Sequence, residues 1–480
     1  MPEKYAQLER RLAGEQQTFA RPLRSLVQRA PVTCGEATAC ADAASLMRQQ
    51  VVGSIVVLDG RSRPVGIVTS HDMVQIAAEG AGARPVAEIM SRDPVALPGH
   101  ALAYEAAMAM LARRIRHVLV FEGDQLAGVV SERDLFSLQR LGLGEITMEL
   151  RLASAIPTLA SIAAELRRLT GLLVDQGVAP EQLTLFVSVL NDRLSQRAIE
   201  IVRKRHDLGR IRWCWLAFGS EGRFEQTLST DQDNGLVFTC HDGAAPAQVR
   251  ERVLPFAREV NEALDACGFP LCKGNVMASN PALCLSLEEW RGKMAGWIDV
   301  SLPKALLDAA ICFDFRALYG DGELVAALRD WVGERVRTHP AFLRHMAQAA
   351  LEAQPGITRL GGFATTGSPA SLNLKLQGAR IFVDVARIYA LAKGVAQTNT
   401  AARLRATLGP NRTEAEAAVA AFYLVQRLRL EKQVAQPDAG GEAANQVSPE
   451  SLDRVTQSAL KEALRIAKEL QSRLALDYQL

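Results

Sequence analysis

Residues Trp213–Thr239 read WCWLAFGSEGRFEQTLSTDQDNGLVFT, and the organisation of the chain follows from this stretch. The apolar run Trp213–Phe218 predicts a buried strand. Gly219-Ser220 follows as a tight bend, Glu221–Gln226 reads as a first helical turn, and Leu228-Ser-Thr230 as a polar turn. Asp231–Thr239 then predicts a second strand. Side chains two apart on a strand share a face, so Asp231 and Asp233 should project together beside the end of the first strand. Two carboxylates held close repel each other unless a cation lies between them, and an oxygen-rich set suits Mg²⁺ or Mn²⁺. Gly219 lets the backbone approach a triphosphate, and Ser220 with the following N–H groups offers phosphate donors at a helix start. These are the parts needed for metal-dependent transfer of a nucleoside monophosphate from an NTP, with Asp231 and Asp233 as catalytic and metal residues.

The run from Gly219 through Ser-Glu-Gly-Arg to Thr230-Asp-Gln-Asp-Asn234 resembles the Gly-Ser … Asp-x-Asp signature of the nucleotidyltransferase superfamily. It looks most like the protein-PII uridylyltransferase-like members that follow a pair of CBS repeats. Cys267-Gly-Phe-Pro, Gly274–Asn280 and Phe313–Asp321 agree with that group, and the resemblance covers about residues 150–475. It implies a mixed sheet with helices and a helical substrate-binding region behind it. It also implies a third carboxylate on a later strand. Ile311-Cys-Phe-Asp-Phe-Arg-Ala alternates like one, making Asp314 the candidate catalytic and metal residue, with Asp321 and Asp299 as competitors. The alternative for Asp314 is an ion pair with Arg316 on the same face. Arg223 either clamps a phosphate or pairs with Glu225 or Asp231. Glu225, Gln226 and Asn234 either orient metal ligands or make ordinary turn hydrogen bonds. Lys273, with Asn275, Ser279 and Asn280, either contacts nucleotide or belongs to the turn signalled by Asn280-Pro281.

The first third contains an internal repeat. Pro31–Met73 and Pro94–Leu135 share one order of elements: a Pro-Val lead-in, a helix, a strand, a turn, a second strand and a helix start. One such unit is too small to bury its own apolar face, so two should pack together. The pattern resembles a CBS pair, or Bateman module, over about residues 22–141. Thr69 and Ser131 stand at strand-to-helix turns, with Asp72 and Asp134 three residues on. The resemblance implies an adenine nucleotide there, with the hydroxyls on phosphate and the carboxylates on ribose. Read from the residues alone, Thr69 and Ser131 are equally N-caps whose aspartates favour the first helical turn.

The remaining features set limits. The chain has 480 residues, net charge +2 and 48% hydrophobic residues, the profile of several globular domains without a general attraction to nucleic acid or membrane. No apolar run reaches the ~18 residues of a membrane span, and Met1–Leu12 lacks an apolar signal core, so a cytoplasmic location is expected. Eight cysteines without a C-x-x-C pair read as buried reduced thiols. The expected fold class is α/β and α+β multidomain. It divides into an N-terminal helix (1–21), a CBS pair (22–83 and 84–141), a helical connector (142–209), a nucleotidyltransferase-like core (210–325) and a helical bundle (326–480). Lys375, Arg380, Asp384 and Arg387 either contact the acceptor, as the resemblance implies for the helical region, or form a solvated helix face, the reading favoured by the residues; Gln436–Ser448 reads as a flexible linker before a helix capped by Ser448. The expected partners are an NTP, a protein or small-molecule acceptor, adenine nucleotide at the CBS pair, and a second copy through that pair. The rival expectation is a non-catalytic nucleotide-binding scaffold.

Overall fold

The computed structural model describes residues 22–27, 29–113, 115–137, 143–175, 177–240, 244–300, 309–358, 361–367, 370–409, 412–436 and 443–480. The helix expected over 1–21 lies outside them. The chain divides into two compact units, Met1–Glu145 and Ile146–Leu480.

In the first unit, β1 (Thr33–Gly35), α1 (Cys40–Gln50), β2 (Ser54–Leu58), β3 (Pro64–Thr69), α2 (Ser70–Ala78) and β4 (Ser91–Arg92) form one repeat. β5 (Ala96–Pro98), α3 (Ala103–Arg113), β6 (His117–Glu122), β7 (Gln125–Ser131) and α4 (Glu132–Ser137) form the other. In each, a first strand runs parallel to the second, and the second pairs antiparallel with the third. The repeats exchange their margins. Val86 and Met90, C-terminal to the expected 83/84 boundary, pack in the core of the first repeat, whereas Leu23 and Leu26 pack in that of the second. Val56 and Ile67 meet Leu119 in a shared cluster. Each sheet thus buries its second face only against the other repeat, the reason a pair is needed.

The second unit begins with α5 (Leu143–Leu152), which straddles the boundary, followed by α6 (Ile156–Asp175) and α7 (Pro180–Arg203). A four-stranded sheet follows, built from β8 (Trp213–Ala217), β9 (Asn234–Phe238), β10 (Cys284–Ser286) and β11 (Arg316–Gly320) in the order β10-β9-β8-β11. β9 and β10 are parallel and the other pairs antiparallel. Both faces are covered, so β8 and β9 are buried at every position and read as continuous apolar runs rather than alternating ones. One helical turn, α8 (Gly219–Gly222), follows β8, α9 (Pro246–Ala266) follows β9, and α10 (Leu287–Val300) follows β10.

The C-terminal region comprises α11 (Gly322–Arg337), α12 (Pro340–Ala350), a short β12 (Leu372–Asn373), a π-helical turn Lys375–Ala379, α13 (Arg380–Lys393), α14 (Thr400–Thr407), α15 (Arg412–Ala435), a short β13 (Gln446–Val447) and α16 (Arg454–Asp477). A single apolar cluster runs from Cys214 and Phe218 through Trp290, Phe313, Phe382 and Phe422 to Leu474, so sheet and bundle share one core. Each such side chain, fully buried, contributes about 1.5–3 kcal/mol.

Three local expectations are corrected. Gln446–Val447 is not linker but pairs with Leu372–Asn373, because Val447 has a buried apolar partner in Leu372; residues 437–442 lie outside the described set. Ser448 precedes only a 3₁₀ turn and makes no side-chain cap, while Asp453 caps α16 through the N–H groups of Val455 and Thr456. Ala310–Phe313 is a 3₁₀ turn rather than a strand, with Cys312 and Phe313 both buried in the apolar cluster, and the strand begins only at Arg316.

Candidate active site

β8 lies between β9 and β11 and delivers the chain to Gly219 at its end. Gly219 turns with φ +56, and a Cβ there would sit 2.9 Å from Ile311 Cδ1 and 3.2 Å from an Asp233 carboxylate oxygen. The glycine therefore serves two ends: left-handed backbone and contact with the acid. Gly219→Ala should cost about 1–2 kcal/mol of backbone strain and displace Asp233, so thermal unfolding and metal-dependent activity should both fall. Gly222 is tighter still. Its Cβ would lie 1.9 Å from the Asp314 carbonyl oxygen, a backbone atom that cannot yield, so Gly222→Ala should prevent α8 from closing on the chain at Asp314. Phe224 also adopts positive φ (+57), with the Arg316 guanidinium 3.7 Å from its ring centroid. Strained backbone of this kind persists only where its surroundings hold it.

The acid pair stands in the extended lead-in to β9 rather than in the strand itself. The Phe218 N–H donates to the Asp233 carbonyl at 2.8 Å, which sets Asp233 beside the Gly219 bend. Gln232, between the acids, is buried and donates from Nε2 to the Asn261 and Phe269 carbonyls at 2.9 and 2.8 Å, while its Oε1 accepts from Asn261 Nδ2 at 2.6 Å. With Gln232 pinned inward, Asp231 and Asp233 both line one cavity of about 380 Å³ with Gly219 and Ser220. Burial, and then the Asp231 charge, push the Asp233 carboxyl up to about 6; Lys375 and Arg223 oppose that.

A divalent ion would relieve this repulsion. Among the described residues no group of three His, Cys, Asp or Glu forms a metal cluster; the candidate donors on the cavity wall beside the bend are the two carboxylates and the Ser220 hydroxyl. That set suits Mg²⁺, which binds through one or two carboxylates plus substrate phosphates and retains waters.

Asp314 does not join them. It is fully buried, absent from the cavity lining, and accepts from Arg223 Nη1 (2.7 Å), Arg387 Nη2 (2.6 Å) and Arg403 Nη1 (2.5 Å). Burial opposes its charge, but Arg387, Arg403 and Arg223 together hold its carboxyl far below the usual range. Three guanidiniums around one carboxylate leave an excess of positive charge that repels a cation, and Asp314 stays off the cavity wall, so the structure places the expected third acid in an arginine cluster rather than beside Asp231 and Asp233. Its expected partner Arg316 bonds instead to Asp192 at 2.6 Å and to the Glu221 carbonyl. Asp321 caps α11 and pairs with Arg212, and Asp299 pairs with Arg335. Arg223 reaches the cavity but bonds to both Glu225 (2.8 Å) and Asp314. Glu225 accepts from the Thr400 N–H, and the Arg223 carbonyl accepts from Asn399 Nδ2, which fasten the bend to α14. The Gln226 backbone N–H donates to Ser188 Oγ, and Asn234 Oδ1 accepts from Ala278 N–H and Asn261 Nδ2.

Of the two readings of Lys273, the structure places it in the turn rather than on the cavity wall: it is exposed, outside the cavity lining, in a turn fixed by Asn280 Nδ2 donating to the Asn275 carbonyl. The opposite wall comes from the bundle: Lys375, Arg380, Asp384, Arg387, Gln426 and Arg429. Sequence reading favoured a solvated face for four of these. Asp384 and Arg387 are instead buried, and the π-helical turn at Lys375 breaks the spacing that would have grouped them. Such turns recur at functional sites.

At the CBS pair, the Thr69 hydroxyl and N–H both donate to one Asp72 oxygen (2.8 and 2.7 Å), and Ser131 does the same to Asp134 (2.6 and 2.8 Å). These are helix caps. They also hold each hydroxyl–carboxylate pair at the strand end, and both aspartates act on the half-buried His117, whose pKa burial lowers. All eight cysteines are free thiols, and among the described residues no helix is long and apolar enough to cross a membrane.

The Gly-Ser bend, its paired acids and the helical wall define a nucleotidyltransferase-type core, and the repeats define a CBS pair. Comparison with known families agrees. The family model "Putative nucleotidyltransferase DUF294" matches residues 164–304, "Putative nucleotidyltransferase substrate binding domain" matches 340–478, and the CBS domain matches 23–79 and 86–140. The chain therefore carries a CBS pair, a DUF294 domain and its C-terminal companion. Among curated relatives, an uncharacterized 17.7 kDa protein of Acidianus ambivalens is 34% identical over 20% of this chain and 58% of its own length. Arabinose 5-phosphate isomerase KdsD of Yersinia pestis is 32% identical over 20% and 29%. The chain thus spans less than two thirds of either relative. Solved structures with similarity include the CBS-domain protein ATU1752 of Agrobacterium tumefaciens (27% identity, 25% of this chain, 96% of that one, TM-score 0.24). Another is PAE2072 of Pyrobaculum aerophilum, complexed with AMP (27%, 26%, 98%, TM-score 0.24).

Proposed function

We propose that the second unit transfers a nucleoside monophosphate from an NTP to an acceptor hydroxyl, and that the CBS pair takes an adenine nucleotide that regulates it. The observation carrying this reading is the placement of Asp231 and Asp233 on one cavity wall beside the Gly219–Ser220 bend, with Gln232 locked inward between them. Asp231 and Asp233 would hold Mg²⁺ or Mn²⁺, which when bound supplies charge for the triphosphate and lowers the pKa of an attacking hydroxyl. The Ser220 hydroxyl and the N–H groups opening α8, which have no intrahelical acceptor, orient phosphate oxygens. One helical turn carries little macrodipole, so these are local donors. Lys375 faces the acids from the other wall and steadies the negative charge that leaves with pyrophosphate. A regulatory effect of the CBS pair requires that its nucleotide bind two states of the protein with different affinity. Association of two copies through that pair belongs to the same proposal, and sedimentation with and without AMP measures it.

The test is incubation of the protein with each α-labelled NTP and Mg²⁺ in cell extract. Label should move to an acceptor and pyrophosphate should appear, and both should stop with EDTA. A second reading, a nucleotide-binding scaffold without turnover, is favoured by the engagement of Asp314 with three arginines: Glu225 and Asp384 at the cavity are likewise paired with arginines, which leaves Asp231 and Asp233 as the cavity acids outside any ion pair among the described residues. Binding of NTP without pyrophosphate from any of the four would select it. For the sensor, calorimetry with ATP, ADP and AMP should show binding that Asp72→Ala and Asp134→Ala weaken. Each substitution also removes a helix cap at about 1 kcal/mol, so unfolding curves accompany the titration.

A further inference from the structure

The cavity cations are unevenly matched. Arg223 meets Glu225 and Asp314, Arg387 meets Asp384 and Asp314, and Arg380 meets Asp384. Arg429, on α15, is 7% exposed and also lines the cavity, yet its hydrogen-bond partners among the described residues are neutral: Nε donates to Asn445 Oδ1 at 2.9 Å and Nη1 to Gln426 Oε1 at 2.5 Å. Among the described residues no carboxylate lies within ion-pair distance of it. Glu225 is its nearest source of negative field, and Glu225 is already bonded to Arg223 and to the Thr400 N–H. Burial, and then the neighbouring Arg223 charge, lower the Arg429 pKa to about 10, and it stays protonated at neutral pH. A buried charge left without a counter-ion is costly. If Arg429 served only to tie α15 to Asn445, a neutral donor would make the same bonds without that cost. The guanidinium fork, pre-formed by Gln426 and Asn445 and presented to an open cavity, matches a planar or tetrahedral oxyanion.

We propose that Arg429 is a further oxyanion-binding residue of this cavity, beside Ser220 and Lys375, receiving a phosphate or carboxylate group of a bound reactant. The inference rests on reading the cavity as the transfer site, but only for the identity of the ligand. Two sources share the chemistry: the polyphosphate tail of the NTP, or an anionic group on the acceptor.

Calorimetry on the full chain in EDTA tests it, with Arg429→Gln and Arg429→Lys beside the parent. In one arm the probe is inorganic tripolyphosphate. In the other it is inorganic phosphate added to protein saturated with a non-hydrolysable NTP analogue. Arg429→Gln should weaken binding at least roughly tenfold in one arm, from loss of a charge-assisted hydrogen bond. The first arm identifies the NTP tail and the second the acceptor. Arg429→Lys should retain part of the affinity. The ligand-free thermal midpoint of Arg429→Gln should equal or exceed that of the parent, because an unmatched buried charge is gone. Unchanged affinity in both arms overturns the inference, as does a destabilised Gln variant with parental affinity. The transfer reading fails separately: Asp231→Asn/Asp233→Asn should keep metal-free tripolyphosphate affinity, and a protein that binds anion through Arg429 without ever releasing pyrophosphate keeps this inference while losing that one.

Discussion

Asp314→Ala should lower the stability of the Ile146–Leu480 unit by about 3–5 kcal/mol, the scale for removing one partner of a buried ion pair. The substitution leaves Arg223, Arg387 and Arg403 facing one another in the interior with no anion between them. Those arginines come from the bend after β8, from α13 and from α14, so the repulsion acts on the junction between sheet and bundle. Asp314→Asn keeps the shape and removes the charge, and should fall nearly as far. Urea unfolding followed by tryptophan fluorescence suits the measurement, since Trp215 and Trp290 are fully buried in this unit. The result also decides the role of Asp314. A metal ligand would lose metal-dependent activity with its unfolding curve unmoved, and that outcome would return Asp314 to the chemistry.

The double substitution Asp231→Asn/Asp233→Asn should behave in the opposite way. Transfer from labelled NTP should drop by at least about 4 kcal/mol in activation free energy, roughly a thousandfold, because the two groups that would hold the divalent ion are gone. Folding should be spared. Asp231 is exposed and Asp233 half-buried, and neither is in an ion pair among the described residues. Their mutual repulsion disappears in the variant, so its metal-free melting temperature should not fall. Full activity in the double variant would remove the enzymatic proposal. A folded variant that binds NTP and Mg²⁺ as tightly as the parent would remove the metal assignment with it.

The two predictions also separate what could be read in the chain from what could not. The Gly-Ser bend was legible because Gly219 has a local reason to be glycine, a positive φ, and because alternation along Asp231-Gln232-Asp233 needs only extended backbone. The repeats were legible because each carries its own hydrophobic period and its own capping pair. Asp314 was misread because an alternating run such as Ile311–Ala317 reports spacing and says nothing of which cations arrive from elsewhere. Arg403, 89 residues downstream, bonds to it. For the same reason Lys375 and Arg387 stayed open between acceptor contact and a solvated face, and Arg429 carried no signal of its own: a charged residue on a helix looks solvated until another element covers it. Lys273, open in the sequence between nucleotide contact and a turn, takes the turn position and faces solvent.

Sequence by itself therefore determined the elements whose cause is local: the CBS repeats with their Thr69–Asp72 and Ser131–Asp134 caps, the buried strands β8 and β9, and the acid pair beside Gly219. The tertiary structure alone decided which charges are spent on one another and which remain for a ligand. Pairing energies depend on distance and burial between residues far apart in the chain, and neither quantity is written in the spacing of neighbours.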